Sequence, residues 1–408
     1  MRFPHNGCMA QQTFIVGGGI GGLATALAVG RHGAPVQLLE QATKFGEMGA
    51  GIQLGPNVVR VLQAWGQGDA LRALAAFPEC LRVRNAMNDS LLGVLPLGSA
   101  MVRQYGAAYA TIARADLHGL LLDAVRQLDN VQLHLASRVT AVAQDTHAVH
   151  LRVETHAQTL QRDIAADTLV GADGVWSQVR AQVVDDGAPR LTGHLAFRAM
   201  VPQVQLPQPL RSHVVTAWLG RDFHVVQYPV RQGEWLNVVA IVHGRAHGDP
   251  EHWDHSANAA ELQVRLADAA PALQELIHAL PSWRLWALSD RIPMQSAAEH
   301  ARGRIALLGD AAHPMRPYLA QGAGMAIEDA DVLAKALTNA YSTSPIDIPA
   351  ALQRYANQRW QRNARVQARA IRNGEIFHLR GPMQVGRDYS LRLFGQKLLD
   401  IPWLYGGV

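Results

Sequence analysis

Thr13-Phe14-Ile15-Val16 is a short apolar run that leads straight into Gly17-Gly18-Gly19-Ile20-Gly21-Gly22. Small and apolar residues from Leu23 to Val29 then read as a helix, Gly33 ends it, and Pro35 to Glu40 reads as a second strand. A strand, a Gly-x-Gly-x-x-Gly turn, a helix and another strand within ~30 residues make a βαβ unit, the context that the glycine fingerprint requires. Gly17 permits the tight turn, Gly19 lets a pyrophosphate approach the backbone, and Gly22 lets the helix pack closely on the sheet. The helix N-terminus offers free N–H groups and a partial positive charge. Glu40 closes the second strand, where a carboxylate can accept hydrogen bonds from a ribose. A dinucleotide site is the expectation, with a ligand-free glycine turn as the bland alternative. Glu40 would repel a 2′-phosphate, which leaves NAD or FAD.

The chain has 408 residues, enough for two lobes. Its 49% apolar and 17% charged content is that of an ordinary soluble globular protein. A formal charge of +4, without a concentrated basic stripe, argues against a nucleic-acid partner. Lysine occurs only at Lys44, Lys335 and Lys397, so arginine carries the positive charge, read here as compositional bias. Cys8 and Cys80 are too few for a disulfide framework or a cysteine zinc site, which fits a reducing cytoplasm. The first dozen residues lack an apolar core, so no signal peptide is expected, and Met9 offers an alternative start. No apolar stretch reaches the ~20 residues that a membrane span needs.

Further along, residues 45–66 are glycine-rich and then helical from Pro56 to Trp65, and 81–97 alternate like a hairpin. Leu117, Leu120, Leu121, Ala124, Val125 and Leu128 have helical spacing. Several short strands are expected over 131–170. From about 190 to 245 the pattern changes to alternating strands at 194–201, 213–219, 223–230 and 235–243, which suggests a separate, mostly antiparallel sheet. Helices are expected near 258–268 and 271–280, then a strand at Ile305–Leu308 and helices over 321–339 and 349–374, with an irregular end. The lobes are therefore interleaved: residues 9–80, 105–185 and 285–345 form the dinucleotide domain, 81–104 and 186–284 the second domain, and 346–408 a C-terminal helical region.

Three stretches together point further. They are the fingerprint with Glu40, the segment Leu169 to Arg180 (LVGADGVWSQVR), and the segment Leu308 to Pro317 (LGDAAHPMRP), which continues into Gln321–Gly324 and Glu328-Asp329-Ala330. In order and spacing the chain resembles the group A flavoprotein monooxygenases, single-component aromatic hydroxylases that use FAD and NAD(P)H. The resemblance implies an α/β fold: a doubly wound, Rossmann-like FAD-binding domain of the glutathione-reductase type with an inserted antiparallel substrate sheet. It implies that Asp310 holds the ribityl chain, and that Pro317 and the turn Gln321, Gly322, Ala323, Gly324 pass beside the flavin ring. A helix starting near Gly322 would aim its positive end at an anionic reduced flavin. Asp173 would sit near FAD and the nicotinamide path, and Arg114, in Ala113 to His118 (ARADLH), would reach FAD. A helix-capping role is the alternative for Asp310 and Asp173, and a surface arginine for Arg114. The stretch Gly46 to Asn57 (GEMGAGIQLGPN) resembles a loop over the flavin, with Gly49 and Gly51 allowing backbone approach and Gln53 reaching cofactor or substrate.

His224 and Tyr228 lie four apart on a strand and so share a face. The resemblance suggests that they meet a phenolic substrate, His224 accepting its proton as a base poised near neutrality; a satisfied structural pair is the alternative. His313, before Pro314, reads as a turn residue. Arg354, Arg359, Arg362, Arg365, Arg369 and Arg372 share a helical face, expected to be solvated, with a dimer contact or phosphate patch as the alternative. No cysteine or H-x-x-E-H-type spacing suggests a metal. The expected partners are a small aromatic substrate, O2 and NAD(P)H, in a monomer or homodimer. The implied reaction hydroxylates a phenolic or hydroxy-N-heteroaromatic acid through a flavin C4a-hydroperoxide. Salicylate, 3-hydroxybenzoate and 6-hydroxynicotinate hydroxylases share these motifs. Pro317 resembles the salicylate and hydroxynicotinate enzymes, and Tyr318 departs from the histidine of the latter. An NAD-dependent Rossmann dehydrogenase and a flavin epoxidase remain as alternatives. The run Trp283 to Trp286 lacks the halogenase G-W-x-W-x-I-P pattern, and the absence of a second glycine fingerprint argues against a disulfide-reductase-like enzyme.

Overall fold

In the computed structural model, which describes residues 12–46, 50–155, 160–244, 255–257, 259–341 and 347–407, Thr13–Val16 lies within a six-stranded sheet. It pairs in parallel with Val36–Leu39 on one side and Thr168–Gly171 on the other. Val131–His134 and Ile305–Leu307 extend the parallel sheet outward, and Ala301–Arg302 closes one edge antiparallel. All four residues of Thr13–Val16 are buried, as a strand covered on both faces must be. Ile15, Leu38 and Val170 pack against the helices Ile20–Gly30, Arg114–Arg126 and Gly322–Tyr341. Phe14, Val16 and Leu39 face the other way, onto the antiparallel strands Ser137–Gln144, Val149–Thr155 and Leu160–Ala166.

The second sheet has eight strands, in the order His255–Ala257, Trp283–Asp290, Arg190–Pro202, Trp235–His243, Phe223–Val230, Val215–Leu219, Cys80–Asn85, Leu91–Pro96. Only Val215–Leu219 and Cys80–Asn85 run parallel to each other. Phe197, Val225, Val238 and Ala240 bury one face under the helices Ala259–Arg265 and Pro271–His278. The opposite face looks toward the first sheet. The expected domain change at 284/285 falls inside the Trp283–Asp290 strand, which stays with the eight-stranded sheet as far as Asp290. The short pair Gly51–Leu54 and Ala110–Ala113 bridges the sheets, and Gly51 N–H donates to Asn237 Oδ1 at 2.6 Å.

Two expectations require correction. The chain end is helical rather than irregular: Gly381–Leu399 lies along the Leu91–Pro96 strand, with Gly395 against Gly93, and Pro402–Tyr405 follows. Its periodicity is hard to see because Met383, Val385, Tyr389, Leu393, Phe394 and Leu398 are all exposed. The arginine face of Ile348–Phe377 is not uniformly solvated. Arg359 is completely buried, its Nε 2.7 Å from Asp329 Oδ1 and its Nη1 2.8 Å from Glu328 Oε2. Arg362 grips the other side of Glu328 and the carbonyls of Trp403 and Leu404. Arg354, Arg365 and Arg372 do remain exposed. Among the described residues, no helix is long and apolar enough to cross a membrane.

Candidate active site

A cavity of about 680 Å³ opens where the parallel strands end, at Val16, Leu39 and Ala172, and extends to the inner face of the eight-stranded sheet. The carboxyl ends of parallel strands are the general ligand position in such sheets. Glycine geometry shapes the first end. Gly17 has φ +105°, and a Cβ there would lie 2.5 Å from the Ala172 carbonyl oxygen. A Cβ on Gly22 would lie 1.8 Å from the Gly17 carbonyl oxygen. Gly19 lines the cavity with φ −75°, so its contribution is an open backbone rather than a special conformation. The helix Ile20–Gly30 has no side-chain cap and no acid in its first turn, which leaves its N–H groups available for an anion. Glu40 Oε2 accepts from Gly18 N–H at 2.6 Å and Oε1 from Ala42 N–H at 2.7 Å, so this carboxylate also braces the glycine turn it was expected to complement.

The middle of the cavity gathers Arg114, Gln53, Gly51, Asp173 and Asp310. Arg114 opens the Arg114–Arg126 helix. Gln53 Oε1 accepts from the Tyr109 hydroxyl at 2.8 Å. A Cβ on Gly51 would lie 2.6 Å from the Tyr228 ring, so glycine lets this strand lie against the second sheet. Gly49 lies outside the described residues. The Asp173 carboxylate accepts from Ser177 Oγ and from the N–H groups of Gln178 and Val179, the capping role held open above. Burial raises its pKa despite those bonds. Asp310 sits in the 3-10 turn Gly309–Ala311 and faces the cavity.

Beyond it, Pro317 starts the turn Pro317–Leu319, Ala320 takes a left-handed conformation with φ +53°, and the helix Gly322–Tyr341 begins. That helix also lacks an acid in its first turn, and Gln321, Gly322 and Ala323 line the cavity. Gln321 is buried and its Oε1 accepts from Asn57. Gly324 does not line the cavity; a Cβ there would meet Val58 at 2.8 Å, so it serves helix packing. These residues suit a dinucleotide: a side-chain-free turn and one open helix end for the phosphates, and a second helix end facing the planar group.

Strand register defines the far end. His224 lies opposite Ile241, which lies opposite Ala196, which lies opposite Trp286. One step along, the row is Val226, Val239 and Arg198, and the next is Tyr228, Asn237 and Met200. His224, Val226, Tyr228, Val239, Ile241, Arg198 and Trp286 all line the cavity, so His224 and Tyr228 do share its face. Rows of this kind are ~7 Å apart along a strand. Burial holds the His224 pKa well below its ordinary value, helped by His378 and His194, so the ring is neutral rather than poised near neutrality. Its Nδ1 is 2.8 Å from His378 Nε2, which leaves Nε2 as its free nitrogen. Burial raises the Tyr228 pKa well above its ordinary value, so its hydroxyl keeps its proton.

Arg198 is the residue that sequence reasoning passed over. Its guanidinium stacks 3.6 Å from the centre of the Trp286 ring, and its Nε has no hydrogen-bond partner. Among the described residues no carboxylate pairs with it. Burial lowers its pKa to about 9. The available signal was one arginine within the otherwise apolar run 195–201 of that strand, between Phe197 and Ala199. His313, by contrast, is fully buried and bonded to Asp329 at 2.5 Å, away from the cavity lining.

Residues 10–370 match the family model described as FAD binding domain. The chain belongs to that family. It is 38% identical to the 3-hydroxybenzoate 6-hydroxylase of Polaromonas naphthalenivorans (strain CJ2), over 96% of this chain and 95% of the relative. It is 35% identical to the 6-hydroxynicotinate 3-monooxygenase of Bordetella bronchiseptica (strain ATCC BAA-588 / NCTC 13252 / RB50), over 86% and 88%. Among solved structures, a salicylate hydroxylase substrate complex superposes with a TM-score of 0.81 at 27% identity, covering 98% of this chain and 96% of the other. Family membership decides between the two dinucleotides: the cofactor is FAD, and the NAD-dependent dehydrogenase alternative is set aside.

Proposed function

We propose that this FAD-dependent aromatic hydroxylase acts on a small aromatic acid that carries a ring hydroxyl, with Arg198 binding the carboxylate. One observation carries this reading: a half-buried arginine at the cavity end away from the glycine turn, its Nε enclosed without a hydrogen-bond partner and, among the described residues, without a carboxylate beside it. A buried cation without a counter-ion is costly. An aromatic acid would supply the missing charge in a fork geometry that suits arginine. The similar hydroxybenzoate and hydroxynicotinate enzymes are named for substrates of this class.

The cofactor assignments belong to the same proposal. The Gly17–Gly22 turn would hold the pyrophosphate, Glu40 the adenosine ribose, Asp310 the ribityl chain, and Pro317 with residues 321–323 would flank the ring, while Arg114, Gly51 and Gln53 close the cavity between them. FAD, once reduced by NAD(P)H, supplies activated oxygen. The residues around the substrate do the rest. Neutral His224 accepts a hydrogen bond from the phenol at Nε2 and draws on its proton in the transition state, which makes the ring more electron-rich. Protonated Tyr228 donates a hydrogen bond to the bound acid. Val226, Val239, Ile241, Met315 and Leu288 keep water from the reacting atoms.

The similarity to 3-hydroxybenzoate 6-hydroxylases supports 3-hydroxybenzoate as the first candidate to assay, and Pro317 keeps salicylate and 6-hydroxynicotinate beside it. The purified yellow protein is assayed for NADH and NADPH oxidation across hydroxylated benzoates and nicotinates, with product and peroxide both measured. An aromatic acid should accelerate oxidation and be hydroxylated; if none does, the proposal is wrong. A second expectation concerns the base. His224→Ala should lower coupled hydroxylation by about 10²–10⁴-fold, the usual worth of a positioned proton acceptor, while FAD content changes little. Unchanged product formation would remove His224 from the chemistry.

A further inference from the structure

Strand register gathers histidines just beyond the substrate end of the cavity. His194 and His243 are cross-strand partners. His378 follows the Ile348–Phe377 helix and lands beside them, its Nδ1 3.0 Å from His243 Nε2. His194 Nε2 lies 3.3 Å from that same His243 nitrogen. Nitrogens of all three rings fall within 4.8 Å of one another.

Hydrogen bonding alone satisfies this convergence poorly. A neutral imidazole nitrogen offers either one proton or one lone pair in its ring plane. His243 Nε2 can therefore point squarely at only one of its two neighbours. A cation would use all three lone pairs. Zinc–imidazole bonds of ~2.0–2.1 Å at tetrahedral angles place ligand nitrogens ~3.3 Å apart, close to the 3.0 and 3.3 Å found.

The surroundings support the same reading. The outer nitrogens of two rings are already held: His194 Nδ1 lies 2.5 Å from the Tyr318 hydroxyl, and His378 Nε2 lies 2.8 Å from His224 Nδ1. Partners of this kind fix the orientation of metal-bound histidines. Burial lowers His194 to about 4 and His378 to about 3, and it lowers His243 as well, so all three present the neutral, ligating form. Of the nearby cations, Arg316 is paired with Asp290 and Arg387 with Asp388. His194 and His378 are buried, and exposed His243 gives access from solvent.

We propose that His194, His243 and His378 form a binding site for a divalent cation of the zinc class, oriented by Tyr318 and His224. The site is independent of the substrate assignment above. Its consequence would reach the cavity. A cation on His378 Nδ1 leaves the proton on Nε2, so His378 donates to His224 Nδ1, and the free nitrogen of His224 becomes a donor.

The test uses FAD-loaded, tag-free protein titrated with Co²⁺ alone. One equivalent should produce visible ligand-field bands to the red of the flavin absorption, and Zn²⁺ should abolish them. His243→Ala, at an exposed strand end, should keep wild-type FAD content and melting temperature yet show no bands. Tyr318→Phe should retain the bands but weaken binding at least tenfold, the usual cost of losing an outer partner. Wild-type protein without bands at stoichiometric Co²⁺, or His243→Ala with undiminished bands, overturns the site.

Discussion

Replacing Arg198 with glutamine is expected to raise the KM for the aromatic acid by about two to three orders of magnitude. Removing one partner of a buried, hydrogen-bonded charge pair costs ~2–5 kcal/mol, and each ~1.4 kcal/mol is a factor of ten in affinity. The effect should follow the carboxylate. A phenol of the same shape that lacks the acid group should bind wild type and variant alike. Arg198→Lys should recover only part of the loss, because an ammonium keeps the charge but not the planar fork. The fold should tolerate the change. Among the described residues no carboxylate depends on Arg198, so glutamine orphans no charge and removes a desolvated one. FAD content and melting temperature therefore separate a binding defect from a folding defect. An unchanged KM for the acid, with an intact flavin, would assign the carboxylate elsewhere.

Arg198 also marks where sequence reading stops. Local rules reached the glycine turn because its parts touch each other: Gly22 is required by the carbonyl of Gly17, five residues away. Two-residue alternation likewise placed His224 and Tyr228 on one face, since a strand enforces that period whatever its neighbours do. A third inward residue on a different strand is another matter. Its position depends on the pairing of Arg198 with Val239 and of Val239 with Val226, and no spacing along the chain encodes that register. The histidine cluster has the same origin. His194, His243 and His378 come from two strands and a helix end, so a search for ligand spacing finds nothing. The C-terminal helix failed for the opposite reason: its apolar side chains are largely exposed, and a periodicity argument assumes that they are not.

Arg359→Met should cost about 3–5 kcal/mol of stability, the usual result of breaking a buried ion pair by removing one partner. The helical spacing of the arginines was real, but two acids on the preceding helix convert one of them from surface to core. Asp329 and Glu328 would be left buried, the first with His313 and Asn363 and the second with Arg362 and Asn57. Burial alone would raise both carboxyl pKa values. In the native protein His313 and Arg359 hold Asp329 below its ordinary value, and Arg362 with Arg359 does the same for Glu328. The sign of the pH dependence follows. A carboxyl depressed in the fold stabilises fully above its unfolded pKa, ~4, and that contribution is lost as pH falls through the folded value. Without Arg359 the carboxyls move upward, the folded state takes up a proton, and stability falls as pH rises through the new value. The penalty of the variant, measured by urea unfolding, should therefore be larger at pH 8 than at pH 5. Combining it with Glu328→Gln should cost less than the sum of the two single changes, because the orphaned charge is removed with its partner. A wild-type unfolding midpoint for Arg359→Met at pH 8 would show that the pair orders the two helices without stabilising them.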